Sequence, residues 1–177
     1  MKNGMVISIC GGSGSGKTTL AKTFVDAVII STDSFYVGKS KMKPLENGDY
    51  DFDHPDAVAL DECANAVLEL ARGNEVEVPD YDMISSERVG VVKISPNKSR
   101  FVVVEGIFAL HKQLRDISNL KIFIDVPADV RIARLLKRDH ERGRSEDEII
   151  KHSLLVEDAY KKHIEPMRRH ADTIFGI

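Results

Sequence analysis

No tryptophan occurs among the 177 residues, aromatic residues make up 6%, and there are two cysteines. Cys10 and Cys63 stand too far apart for a CxxC redox pair or a zinc knuckle, so both read as small buried hydrophobes. The six histidines show no HxxxH or HExxH spacing, which argues against a transition-metal site. No apolar run approaches the ~20 residues needed to cross a bilayer. The opening MKNGMVISIC runs straight into glycines and has no small-residue cleavage site, so a cytoplasmic location is expected. An excess of basic charge is missing too. With a net charge of −3, neither nucleic acid nor an anionic membrane is expected as the main partner.

What the chain does have is an alternation of short apolar runs with helical sequence. Val/Ile/Phe-rich runs at Met5–Cys10, Val28–Ser31, Arg100–Glu105 and Lys121–Val126 are nearly continuous in apolar character, the mark of buried parallel strands. Helices are expected from Gly16 to about Asp26 and over Ala57–Arg72, with Asp56 as N-cap and Gly73 as stop. Further helices are expected over Ala128–Arg142, and from Ser145, whose spacing to Glu148 makes a capping box, to just before Pro166. Glu75–Ile94 alternates instead and flanks DYDMISSER, which predicts a β-hairpin. The expected fold is α/β: a mostly parallel sheet flanked by helices, in one domain over 1–177, with a hairpin insertion at about 75–94.

The run Gly11, Gly12, Ser13, Gly14, Ser15, Gly16, Lys17, Thr18, Thr19 fits GxxxxGK[ST], with a strand before it and a helix after. Glycines let backbone N–H groups turn toward phosphate oxygens, and the helix N-terminus adds partial positive charge. A bland Gly/Ser connection needs no Lys-Thr at its end. Lys17 is placed to reach β- and γ-phosphates, and Thr18 to offer its hydroxyl to Mg²⁺. This P-loop NTPase reading leaves motors, switches and kinases open. No DxxG occurs, and NKSR at Asn97–Arg100 is the nearest approach to a guanine-reading NKxD, which weakens the switch.

Asp33 in STDSFY and Glu105 in FVVVEG both fall at strand C-terminal ends, the edge where open α/β sheets bind ligands. Two carboxylates there are candidates for holding Mg²⁺ through water and for accepting a proton from an attacking hydroxyl. The alternative reading makes them a turn cap and a surface ion pair. ADVRIARLLKRDHERGR carries Arg131, Arg134, Lys137, Arg138, Arg142 and Arg144. Such a run fits a solvated helix face or a nucleic-acid patch, but beside a phosphoryl-transfer site it fits an Arg-rich lid over about 134–146.

Taken together, GGSGSGKTTLA, DSFY, YDFDHPDA, VPDYD, VVVEGIFAL, ERGRS and HIEPMRRHAD resemble, in order and over nearly the whole chain, the phosphoribulokinase and uridine kinase family of P-loop kinases. The resemblance implies transfer of phosphate from ATP (or GTP) with Mg²⁺ to the ribose 5′-hydroxyl of uridine or cytidine. It implies Asp33 as general base beside Lys17, and Thr18, Asp33 and Glu105 around the metal. Asp53 would bind ribose hydroxyls, with Phe52, Tyr81 and Tyr36 about the pyrimidine; alone, Phe52 and Tyr81 read as packing. Arg138 and Arg142 would contact ATP and Arg144 the substrate side. The partner expected is a small nucleoside, with homo-oligomers known in the family.

The sequence departs from the family pattern at Ser86, where uridine kinases carry a base-contacting histidine, and between the arginine-rich turn and ERGR, where either Arg134 or Leu135 takes an arginine position. Another hydroxyl acceptor within the family, such as a phosphosugar, is the main alternative. A nucleotide-dependent binding module is a further one.

Overall fold

The computed structural model describes residues 4–46, 48–141 and 155–176. Five strands, β1 (Met5–Gly11), β2 (Ala27–Ser31), β5 (Phe101–Glu105), β6 (Leu120–Asp125) and β7 (Thr173–Gly176), form one sheet in the order β2-β5-β1-β6-β7. Every pairing in it is parallel, for example Ile7 with Val103 and Ile9 with Ile122. The expected parallel sheet is therefore present, with one strand more than expected. β3 (Val76–Asp82) and β4 (Glu87–Ile94) make the expected antiparallel hairpin outside that sheet, with a bulge between Asp80 and Tyr81.

Because side chains alternate across a strand, the apolar runs feed two cores. Ile7, Ile9, Val103, Ile122 and Ile124 pack with Ala21 and Val126 on one face. Val6, Cys10, Val102, Val104 and Phe123 pack with Cys63, Val67 and Leu70 on the other. Both cysteines are fully buried, as expected, and burial pushes the Cys10 thiol up to about 11.

The helices depart from expectation in instructive ways. Helix α1 covers only Lys17–Ala21 and does not run to Asp26. The Thr23 hydroxyl donates to the Leu20 carbonyl at 2.7 Å and Asp26 adopts a left-handed φ of 58°, so the chain turns early into β2. Thr23, Phe24 and Val25 have β-branched or aromatic side chains, which give such a turn little helical resistance.

Helix α2 begins at Leu60, not Ala57, and Asp56 is not its cap. A 3₁₀ turn over Pro55–Ala57 comes first, and Val58 then makes a single antiparallel bridge to Tyr36, flanked by the bonds Val37 N–Ala57 O and Ala59 N–Phe35 O. After the short α3 (Lys112–Arg115) and β6, helix α4 spans Ala128–Glu141. The start of the Ser145 helix, Arg142 and Arg144 lie outside the described residues. Residues 155–159 are α-helical, then pass into a π turn over Tyr160–Ile164 and a 3₁₀ turn over Glu165–His170. Helical winding thus continues past Pro166, which sits in the first turn of the new segment where its missing N–H costs no bond.

Candidate active site

The glycine loop leaves β1 at the centre of the sheet and ends at α1. Gly14 has a φ of 79°, and a Cβ there would stand 2.7 Å from the Arg131 carbonyl oxygen. A Cβ on Gly12 would meet the Arg131 guanidinium at 2.8 Å and the Tyr160 ring at 2.9 Å. At Gly16, with φ 97°, it would meet nothing within 4 Å, so the loop is packed tightly behind and open in front. The Ser15 hydroxyl is buried with no hydrogen-bond partner among the described residues. A buried unpaired hydroxyl is costly. Inside an N–H-lined loop at a helix start, its fit is to an anion such as a phosphate group.

The Lys17 ammonium reaches back to the Gly12 carbonyl at 3.0 Å, and the Thr18 hydroxyl donates to Glu105 Oε1 at 3.2 Å. Desolvation lowers the Lys17 pKa, opposed by the charges of Glu105 and then Asp33. Desolvation raises the Asp33 carboxyl, opposed by Lys17 and Arg138. It also raises Glu105, with Lys17 opposing and Asp33 adding to the effect. Lys17, Asp33 and Glu105 thus share one electrostatic environment. β2 and the turn Thr32–Phe35 carry Asp33 to one side of the loop, and the last residue of β5 is Glu105. Gly106 follows with φ 154° directly against the Thr32 side chain, so no larger residue fits there. Among the described residues no three Asp, Glu, His or Cys side chains cluster to cage a metal. Thr18 with the Asp33 and Glu105 carboxylates suits Mg²⁺ that draws its remaining ligands from phosphate and water.

A cavity of about 890 Å³ opens from this loop, within the usual range for small-ligand sites. At its β2 side Tyr36, Phe52 and Tyr81 form a ring cluster, with centroids 5.9 Å apart for Tyr36–Phe52 and 5.2 Å for Tyr36–Tyr81. Asp53 sits beside them, its carboxyl pushed up to about 6 by desolvation and then by Asp51 and Asp33. Ser86 lines the same wall. The hairpin that supplies Tyr81 and Ser86 is held down by Arg88, which donates to the Tyr36 carbonyl at 2.7 Å and the Phe35 carbonyl at 3.1 Å and pairs with Glu62 at 3.0 Å.

The arginine run divides. Arg131, read from sequence with the lid arginines, is instead 2% exposed behind the loop. It pairs with Glu157 at 2.6 Å, donates to the Val126 carbonyl at 3.0 Å and stacks on the Tyr160 ring at 3.9 Å. Arg134 donates to the Gly14 carbonyl at 3.1 Å from the cavity side, while Leu135 is buried in the cavity wall. Arg138 lines the cavity as expected. The structure therefore gathers Ser13, Gly14, Ser15, Gly16, Lys17, Thr18, Thr19, Asp33, Tyr36, Phe52, Asp53, Tyr81, Glu105 and Arg138 around one space, with Gly11 and Gly12 in the loop beneath it.

A model of the phosphoribulokinase / uridine kinase family matches residues 6–177. The chain is 38% identical to a Staphylococcus aureus (strain JH9) uridine kinase, over 98% of this chain and 88% of that one. It is 37% identical to uridine-cytidine kinase A of Dictyostelium discoideum over 98% of its own length, but spans only 36% of that longer relative. The fold of phosphoribulokinase from Rhodobacter spheroides superposes with a TM-score of 0.69 at 18% identity, covering 99% of this chain and 71% of the other. The chain belongs to the phosphoribulokinase / uridine kinase family.

Proposed function

We propose that the chain is an ATP-dependent kinase that phosphorylates the ribose 5′-hydroxyl of uridine or cytidine, acting as a single domain in the cytoplasm. One observation carries the reading: a phosphate-type loop with Lys17, Thr18, Asp33 and Glu105 shares its cavity with an aromatic cluster that flanks a carboxylate, Asp53. Two such ends suit a donor's phosphates and a flat nucleoside whose sugar presents hydroxyls. The names of the relatives point the same way.

In this reading the aromatic rings take the pyrimidine and ionised Asp53 accepts from the ribose hydroxyls, which fixes the 5′-oxygen near Asp33. Asp33 takes the proton as that oxygen bonds to the γ-phosphorus, and the bond from the γ-phosphorus to the β–γ bridging oxygen breaks with its electrons leaving on ADP. Lys17, Arg134 and Arg138 neutralise charge on the phosphates. Thr18 with the Asp33 and Glu105 carboxylates would hold Mg²⁺, which would supply further charge compensation to the phosphates.

Ser86 on the acceptor wall favours a second reading, the same transfer to another small alcohol. ADP release measured with ATP and Mg²⁺ against uridine, cytidine, purine nucleosides, pantothenate and ribulose 5-phosphate separates the two. Turnover with uridine or cytidine is expected. Turnover confined to a non-pyrimidine acceptor establishes the second reading, and no turnover together with no ATP binding removes both.

A further inference from the structure

Asp53 lies between two neighbours that are pinned to different parts of the fold. On one side the Phe52 ring stands edge-on to Tyr36, with centroids 5.9 Å apart. On the other, the His54 ring stands edge-on to His163, with 4.9 Å between centroids and 73° between planes. Within the stretch itself, the Asp53 N–H donates to Asp51 Oδ1 at 3.1 Å and the Asp56 N–H to His54 Nδ1 at 3.2 Å. His163 belongs to the π turn Tyr160–Ile164, a rare winding that recurs at functional sites. Ile164, next to it, is buried in the core, so the turn is a firm support. Neither His54 nor His163 lines the cavity. Desolvation, then His54 and Lys162, lower the His163 pKa against the opposing charges of Asp51 and Asp56, so its ring is uncharged at neutral pH.

From this arrangement we infer that His163, outside the cavity, is a positioning residue for the acceptor: through the His54 ring it holds the 51–54 stretch so that Asp53 faces the substrate. The inference rests on the kinase reading above. Without the His163 ring one of the two pins is gone, and the stretch spends part of its time with Asp53 turned away. Apparent acceptor affinity then falls in proportion to the competent fraction. A bound acceptor selects the competent arrangement again and reacts at the ordinary rate.

ADP release with ATP·Mg²⁺ and uridine tests this on the full chain in wild type, His163→Ala, His163→Phe, His54→Ala and the double alanine variant. His163→Ala should raise KM for uridine about three- to tenfold, the range of an aromatic pair, with kcat within about twofold. His163→Phe keeps a ring against His54 and should restore KM. His54→Ala breaks the same contact from a side chain that is 40% exposed, where little packing is at risk, and should match or exceed that rise. Adding His163→Ala to it should change KM by less than about twofold, because the two act through one contact. Calorimetric ATP affinity should stay within about twofold in His163→Ala, since Tyr160 of the same turn keeps its place against Gly12. Unchanged KM in His163→Ala, a fall in kcat with KM unmoved, an equal loss of ATP affinity, no rescue by phenylalanine, or additive effects in the double variant each overturn the positioning role alone. No turnover of uridine by wild type overturns the kinase reading itself, and this one with it.

Discussion

Replacing Arg131 with methionine removes an anchor that joins three parts of the fold. The change deletes the bond to the Val126 carbonyl, the pair with Glu157 and the contact over Tyr160. Breaking a buried pair commonly costs ~3–5 kcal/mol because one charge is left behind without compensation. Here the survivor, Glu157, is 17% exposed, so water relieves part of the penalty. Methionine also keeps some of the packing that the arginine stem supplied. A loss of about 3 kcal/mol follows, which in a chain of this size lowers Tm by roughly 6–12 °C.

The same side chain bears on Gly12, so the loop should loosen as well. ATP affinity is expected to fall by about five- to thirtyfold, or ~1–2 kcal/mol. Thermal unfolding followed by circular dichroism gives the first quantity and calorimetric titration with ATP·Mg²⁺ the second. A Tm within ~3 °C of wild type, less than about 1 kcal/mol, refutes the anchoring argument. A full Tm drop with unchanged ATP affinity refutes the coupling between this cluster and the loop.

Asp33→Asn should lower kcat by roughly 10²- to 10⁴-fold while ATP still binds; near-normal kcat removes Asp33 as the proton acceptor. Asp53 yields a prediction about pH. Its carboxyl is held up to about 6, above the ordinary 3.8, so the ionised form that accepts ribose hydroxyls is lost as pH falls through that value. kcat/KM for the acceptor should fall about tenfold per pH unit below pH ~6, because that ratio reports the free enzyme. Hydroxyls donating to Asp53 favour its charged form, so the corresponding limb in kcat should lie at lower pH. A profile flat down to pH ~5 would mean that Asp53 titrates as an unshifted carboxyl.

The strands, the hairpin and the glycine loop were legible because each leaves a periodic or compositional trace. β7 was not: TIFG is four exposed residues with no apolar run, and it becomes a strand only because β6 offers an edge. Charge patterning identified the arginine run as special but could not say which way each arginine turns. The available clue was Arg131 standing four residues before Leu135, which places both on the buried side of α4. Similarly, Asp33 and Glu105 were legible from their positions after strands. Tyr36, Phe52 and Tyr81 come from three separate segments that meet only through the Arg88 clamp and the folded hairpin.

The central place of β1 has a consequence during synthesis. Its first residue pairs with Phe101, so β1 has no partner in this sheet until β5 emerges, about 5–20 s later at ordinary elongation rates. For that interval Ile7, Ile9 and Cys10, all destined for the interior, remain wet and sticky. Nascent molecules of this topology are therefore candidates for chaperone holding, and codon choices that slow translation before residue 101 should raise the aggregated fraction.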